Sequence, residues 1–346
     1  MLISPSVGYV TRPKRGTILL LSGANWHVTG GGQRPVGLTF EWVKMGYDVI
    51  FVERWERVDE VAVPPPAGVT ILKVSELKDI PSDVVLVYVS LPAPDYNQLV
   101  KEFRRRGLPV HYDIYDHWES MFKEQHHSWF QVEWEEELVS LATSFSCVSP
   151  TLKEAFREGY SLDVPVIPNA ADPSYWKPVK EAKKEAVALY IGTLGKPWEW
   201  VSHEALVEVA RAFPAWEFRI IGGYLKYTPP ENVRQYGQVP HDELVRYAIG
   251  GRIGLVPFKK CYSAYYCDPI KAWEYLAAGM AVAVTNVPAW RGMPNTYFEE
   301  GDAVEGLLHA FERAASQPLS PLPYGFWSQH SWRARAEAIL KVAGLR

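Results

Sequence analysis

Short apolar runs alternate with stretches of helical length along this chain, and the alternation happens twice over. In the first half the runs are 17–22 (TILLLS), 47–52 (YDVIFV), 84–89 (VVLVYV), 110–115 (VHYDIY), 144–148 (SFSCV) and 164–167 (VPVI). Helical stretches fall between them at 36–45, at 151–158 and in the segment closed by 101–106. In the second half the runs are 186–191 (AVALYI), 217–221 (EFRII), 253–258 (IGLVPF) and 281–285 (AVAVT). Helices are expected there at 203–213, 241–248, 269–278 and 332–342. Predominantly apolar runs of this length are strands covered on both faces, which means parallel sheets wrapped by helices. Strand–helix repetition connects such strands by right-handed crossovers. The expectation is therefore an α/β chain of two facing doubly wound domains.

Length agrees, since 346 residues are more than one typical domain needs. The join is expected in the polar, Pro- and Lys-rich stretch 169–185 (NAADPSYWKPVKEAKKE). This divides the chain into 1–172, 173–325 and a last helical segment, 326–346, beyond three prolines in 317–324. A net charge of -4 offers no clustered positive surface for nucleic acid, so no nucleic-acid partner is expected. The cysteines Cys147, Cys261 and Cys267 cannot all pair and have no zinc-type spacing, which fits a reducing compartment. The first sixteen residues lack the apolar run of a secretory signal. No stretch reaches the roughly 20 apolar residues of a membrane span. The expected location is cytoplasmic.

In doubly wound sheets, ligands bind beyond the carboxyl ends of strands. The most informative such place is 267–279 (CDPIKAWEYLAAG), after the strand 253–258. Pro269 suits a first helical turn and Asp268 its N-cap. Lys271 and Glu274 then share a face. A lysine in a first turn opposes the helix dipole. It makes sense there if an external anion sits at the helix start. The alternative is a solvated Lys–Glu pair on a surface helix.

In the first half, Gly30, Gly31 and Gly32 follow the first strand, where backbone can approach a ligand closely. Their spacing is not that of a dinucleotide fingerprint. Arg34 is placed to clamp an anion in bidentate fashion or to pair with an acid. Asp113 and Asp116 lie at the carboxyl end of the strand 110–115, where an acid serves as general base, holds hydroxyls or caps the next helix. Asp116 is the preferred catalytic candidate, with His117 its rival. No D-x-D triplet occurs, and His126 and His127 are adjacent rather than helically spaced, so no metal site is expected. Lys101, Arg104, Arg105 and Arg106 form a basic run, read either as a solvated helix end or as a patch for anionic lipid.

These segments resemble GT-B glycosyltransferases, particularly family-4-like members. The stretch DPIKAWEYLAAGMAVAVTNVP resembles their P-x-K-x-x-E-Y-L-A-A-G-x-P-V-V-A-T signature. Residues 236–258 resemble the stretch preceding it, and Pro168-Asn169-Ala170-Ala171-Asp172 with Trp176 and Pro178 resembles the interdomain P-N-G-x-D-x-x-x-F-x-P. Ile191-Gly192-Thr193-Leu194 is similar to the opening of the C-terminal domain, and Ser331-Trp332 heads a helix like the one that crosses back. Gln33-Arg34-Pro35 and 112–118 (YDIYDHW) resemble the teichuronic-acid-type subgroup.

The resemblance implies a GT-B fold with a C-terminal crossover helix, and an enzyme using a UDP- or GDP-sugar donor on a glycan or lipid-linked acceptor. It implies no cofactor and no metal for the diphosphate. Lys271 and Glu274 would contact diphosphate and ribose, with Asp268 and Ile270 beside them. Gln238 and Val239 would face the base, and Gly192, Thr193 and Lys196 the phosphates. Lipid-linked acceptors would bring peripheral contact with the inner face of the membrane. Two departures stand out. Thr193 occupies a position where the family often has arginine, and Tyr266 one where retaining members carry a glutamate. They keep two alternatives open, a non-catalytic nucleotide-sugar or glycan-binding protein and a UDP-sugar epimerase.

Overall fold

A computed structural model describes residues 14–26, 33–54, 64–77, 80–124, 130–195 and 199–345. Six strands form the first sheet: β1 (Thr17–Ser22), β2 (Asp48–Glu53), β3 (Val69–Lys73), β4 (Val84–Val89), β5 (Val110–Ile114) and β6 (Ser144–Cys147). Six more form the second: β7 (Val187–Ile191), β8 (Glu217–Ile221), β9 (Val233–Tyr236), β10 (Ile253–Pro257), β11 (Ala281–Thr285) and β12 (Thr296–Glu299). All neighbouring pairs are parallel. The orders are β3-β2-β1-β4-β5-β6 and β12-β11-β10-β7-β8-β9. Each is the doubly wound order with its reversal between the first and fourth strands. The two switch points, β1/β4 and β7/β10, are thus equivalent places in the two sheets.

Helices of the first half are α1 (Arg34–Lys44), α2 (Pro94–Arg105), α3 (Trp118–Glu124), α4 (Val132–Leu141) and α5 (Pro150–Tyr160). Then come α6 (Lys177–Glu181), α7 (His203–Ala212), α8 (Leu244–Ala248), α9 (Tyr262–Tyr266) and α10 (Ile270–Ala277). The chain ends with α11 (Ala303–Ser316), α12 (Phe326–His330) and α13 (Trp332–Val342). The run 164–167, expected as a strand, contributes only a single bridge between Val166 and Cys147. The helix expected at 241–248 begins as a 3-10 turn, His241–Glu243, before α8.

Alternation along β1 shows why both faces are apolar. Leu19 and Leu21 join one buried cluster with Val87, Val89 and Tyr112, while Ile18 and Leu20 join another with Trp26, Trp42 and Tyr88. The second cluster is completed by Trp332, Ala336, Ile339 and Leu340 of α13, which packs on α1. Gly37 makes that contact feasible, since a Cβ there would lie 2.7 Å from the Trp332 indole. The second sheet has one continuous core in which all five residues of β10 and of β11 are buried.

One strand position fixes how low α10 sits. Gly254 of β10 has no side chain, and the Tyr275 ring of α10 occupies the space a Cβ would take. From there the Tyr275 hydroxyl accepts a 2.8 Å hydrogen bond from the Ile191 N–H at the end of β7. Helix and switch point are thereby locked together. Gly254→Ala forces the ring outward, and overpacking of this kind costs about 1–3 kcal/mol. Thermal unfolding of this variant is expected several degrees below wild type. An unchanged midpoint would mean that Tyr275 relocates freely and does not set the height of α10.

Candidate functional site

The carboxyl ends of the two sheets face one cleft. Gln33, Arg34, Tyr115 and Asp116 line it from the first half and Asn169 from the linker; Gly192, Gly222, Gln238, Lys271 and Glu274 are among its lining residues from the second half. Its floor on the second side is the β7/β10 switch point. Gly192 (φ 146°) and Gly222 (φ 111°) follow β7 and β8 in backbone conformations that favour glycine. A Cβ on Gly222 would overlap the Gly192 backbone, and one on Gly192 would collide with the Lys271 ammonium. The two loops close on each other beside that ammonium because both lack side chains.

Lys271 lies in the first turn of α10 with its Nζ 3.4 Å from the Tyr190 hydroxyl. The ammonium stands 4.5 Å from the Tyr190 ring centroid and 5.4 Å from that of Phe258. Ring faces attract a cation but do not neutralise it, and Lys271 forms no salt bridge among the described residues. Burial therefore lowers its pKa to about 8, with Cys267 and Glu274 pulling the other way. The helix start is equally unshielded. Pro269, not Asp268, is the N-cap, no side chain caps the end, and no acid lies in the first turn.

Asp268 is thus a correction to the capping expectation. Its carboxylate accepts from both tryptophan indoles, Trp273 at 3.0 Å and Trp290 at 2.9 Å, and from the Asn169 N–H at 2.6 Å. It is buried, and burial raises its pKa despite these donors. Its work is to tie the approach of α10 to the linker. Glu274, one turn beyond Lys271, is buried too, and its Oε1 lies 2.9 Å from His241 Nε2. His241 did not emerge from the sequence; its only signal is its place directly after the turn holding Gln238 and Val239. Those two residues and Ile270 line the cleft, as does Thr193.

The opposite wall separates the candidates sharply. Asp113 and Arg34 are both buried and paired in bidentate fashion, at 2.5 Å and 3.0 Å. Asp113 also accepts from Ser146 Oγ at 2.5 Å and from the Tyr88 hydroxyl. Burial alone would raise the Asp113 pKa, but the Arg34 charge overcomes it and the carboxyl stays below its ordinary range. Arg34 further donates to the Pro168 carbonyl at 2.9 Å. Neither the anion clamp nor a base at Asp113 is available, because each group is spent on the other. Behind them His111, between Ser144 and Ser146, is held neutral by burial, with a pKa of about 4.

Asp116 differs. It lies just past the strand, lines the cleft, and has no hydrogen bond or ion pair among the described residues. Burial alone raises its pKa to about 7. His117 instead stacks on Tyr266, ring centroids 4.2 Å apart at 14°, and is not a lining residue. The Tyr266 carbonyl is held by Ser149 Oγ at 2.6 Å. Glu124 of α3 reaches across to the start of α9, accepting from the Tyr262 N–H at 2.6 Å and the Ser263 N–H at 2.9 Å. The two walls are thereby tied at the rim.

Gly30, Gly31, Gly32, Lys196, His126 and His127 lie outside the described residues. The basic run is locally paired, Lys101 with Glu137 at 2.5 Å and Arg105 and Arg106 with Glu102 at 2.9 Å and 3.1 Å. Arg104 donates to the Leu108 carbonyl at 3.2 Å. Chemically, the cleft offers an unpaired cation with free helix N–H groups on one wall. On the other it offers one unpaired acid that exchanges protons near neutral pH.

Two substitutions separate the acids. Asp113→Ala leaves Arg34 buried without its partner, which costs about 3–5 kcal/mol, and the expected readout is a large fall in unfolding midpoint. Asp116→Asn works the other way. Its folded pKa of about 7 exceeds the unfolded value of about 3.9, so between these limits the native state holds the extra proton and stability falls as pH rises. Removing the charge is expected to stabilise the protein at pH 8 and to leave it nearly unchanged at pH 4. Equal shifts at both pH values would place Asp116 in an ordinary solvated setting.

No protein-family model matches the chain, and no curated protein sequence does. Solved structures do match it. A sucrose-phosphate synthase from Thermosynechococcus elongatus aligns with TM-score 0.63 at 14% identity, over 95% of this chain and 95% of that one. A glycosyltransferase from Rickettsia africae aligns with TM-score 0.62 at 13% identity, over 95% of this chain and 98% of its own. Trehalose-6-phosphate from E. coli bound with UDP-2-fluoro glucose gives TM-score 0.58 at 9% identity, with 95% of each chain covered. At such identities the likeness speaks for architecture. The chain has the GT-B fold, two Rossmann-like domains with a shared cleft.

Proposed function

We propose that this chain is a glycosyltransferase that moves a sugar from a nucleotide-diphosphate donor, a UDP- or GDP-sugar, to a hydroxyl of a glycan or lipid-linked acceptor. The observation that carries the proposal is the unpaired Lys271 ammonium at the uncapped head of α10, set in the β7/β10 switch point. A half-buried cation without a counter-charge is costly to keep, and a diphosphate supplies the missing charge. The free first-turn N–H groups add hydrogen bonds from the same direction. The structural neighbour that holds UDP-2-fluoro glucose supports the same class of ligand.

In this reading the acceptor hydroxyl approaches from the first half, where Asp116 takes its proton. The oxygen attacks the anomeric carbon, and the bond to the diphosphate breaks with its electron pair going to the leaving group. Lys271 and the helix dipole stabilise the charge that develops there. The positive charge comes from the chain itself, so this reading calls for no metal. Among the described residues no helix is long and apolar enough to cross a membrane. The reaction is assigned to the cytoplasmic side, where nucleotide sugars are made, at the inner face of the membrane if the acceptor is lipid-linked.

A non-catalytic binder of the same ligands is the second reading, favoured by Tyr266, which is committed to the stack with His117. Release of nucleoside diphosphate from a panel of UDP- and GDP-sugars separates the two; binding without release supports the second. Under the first reading Lys271→Ala is expected to lower transfer at least a hundredfold with the fold retained, since lost charge stabilisation of about 2.7–4 kcal/mol corresponds to 10²–10³ in rate. Wild-type turnover in that variant removes the assignment. The pH dependence follows from the same ammonium. A bound diphosphate raises the Lys271 pKa from about 8, so nucleotide-sugar affinity is full below pH 8. It is expected to weaken as pH rises further, by up to about tenfold per unit. A flat affinity from pH 7 to pH 9.5 by calorimetry would contradict it.

A further inference from the structure

Glu274 does not stand alone in the cleft. His241 Nε2 lies 2.9 Å from its Oε1, and an aromatic ring packs on the face of the imidazole. Tyr175 stacks on the His241 ring, with centroids 4.8 Å apart at 18°, and its hydroxyl donates to the His241 carbonyl. Tyr175 is packed edge-on against Trp176, whose side chain is buried in the core of the second half. A carboxylate only accepts, so His241 donates through Nε2. With Oε1 engaged, Oε2 is the oxygen of this cleft-lining residue not committed to a hydrogen bond among the described residues.

From this geometry we infer that His241, braced by Tyr175, is a positioning residue that aims Glu274 at a hydroxyl of the donor nucleoside. The inference rests on the reading of the cleft as a nucleotide-sugar site. Glu274 is one helical turn from Lys271 on the same face, so a ligand whose diphosphate meets Lys271 presents its sugar hydroxyls within reach of Glu274. A free glutamate has three side-chain torsions to order before it can accept. His241 orders them in advance, so the hydrogen bond forms without that entropic loss. The same brace joins the linker residue Tyr175 to the turn that carries Gln238 and Val239, and it fixes that turn relative to α10.

Calorimetry with UDP, GDP and their 2′- and 3′-deoxy counterparts tests the inference on wild type, His241→Ala, His241→Gln and Tyr175→Phe. Wild type is expected to prefer one hydroxylated ligand over a deoxy form by about tenfold, or 1.4 kcal/mol. His241→Ala is expected to lose most of that preference while keeping its unfolding midpoint, and His241→Gln, which retains a donor, to recover part of it. Tyr175→Phe keeps the stack and is expected to lose less than His241→Ala. If His241→Ala is poorly folded, His241→Gln and Tyr175→Phe carry the comparison, and full wild-type preference in both overturns the inference. Undiminished preference in folded His241→Ala also overturns it, as does a wild type that binds the nucleotides without any preference. Both results leave the donor site standing. A wild type that binds neither nucleotide overturns the donor reading itself, and the inference with it.

Discussion

The relative placement of the two cleft walls depends on what converges on Asn169. Its N–H donates to the Asp268 carboxylate at 2.6 Å, and its side-chain amide to the Asp268 carbonyl at 2.5 Å. Its own side-chain oxygen faces Arg34 Nη1 at 3.4 Å, and its carbonyl accepts from Arg335 Nε at 3.2 Å. One linker residue thus touches α1, the approach to α10 and α13. Arg34 carries the connection into the first sheet through Asp113 on β5, and Asp268 carries it into the second half through Trp273 and Trp290. Buried polar groups are tolerable only when every member has its partners. Small relative shifts of the walls would leave several of them unsatisfied at once. The network therefore favours a discrete arrangement over a graded one, a role as register device that is the best attested use of buried charge.

Against that background the site is recognisable by what is left unsatisfied. Asp113, Asp268 and Arg34 all belong to the cleft region, and each is saturated by the fold. Lys271 and Asp116 are not. One is kept by ring faces that cannot neutralise it, the other by burial without a donor. A sequence under selection for stability alone would not retain either, since replacing each with a neutral residue removes a desolvation cost. Groups held in that condition on facing walls are where a fold keeps its chemistry.

The sequence carried much of the fold because covered parallel strands write a strong signal. β1, β4, β8 and β11 and the helix α13 have the bounds read from their apolar patterns. The edge strands β3 (VTILK), β9 (VRQY) and β12 (TYFE) went unread, since they are half-exposed and of mixed polarity. α11 also went unread, although Asp302 caps it with bonds to the Val304 and Glu305 N–H groups. For the site, local logic sufficed where the physics is local. Spacing logic put Lys271 and Glu274 one turn apart at a helix start, and both line the cleft. It failed where the partner is distant. Arg34 and Asp113 are 79 positions apart, and His241 and Glu274 are 33 apart, so no spacing rule joins them. Asp268 looked like a cap because caps are its commonest use, and the two indoles that claim it become visible only once α10 is folded against Trp290.

The loop after β7 explains why so much falls to Lys271. Thr193 brings no charge there, and Gly192 keeps side chains away from the space the ammonium occupies. Among the described lining residues the cations are Arg34 and Lys271, and Arg34 is committed to Asp113. A helix terminus adds about half a positive charge, so among the described residues one ammonium and one terminus are what the cleft offers an anion. Under the proposed function that supply is smaller than a diphosphate's charge, and the deficit would grow as the leaving oxygen gained electrons. The geometry answers by proximity rather than number. Tyr275, seated on Gly254, holds α10 against the end of β7, so the ammonium and the helix start act from the same point. Charge concentrated there acts most strongly on the ligand oxygen closest to it, and under the proposed function that is where the leaving diphosphate would take up the electron pair.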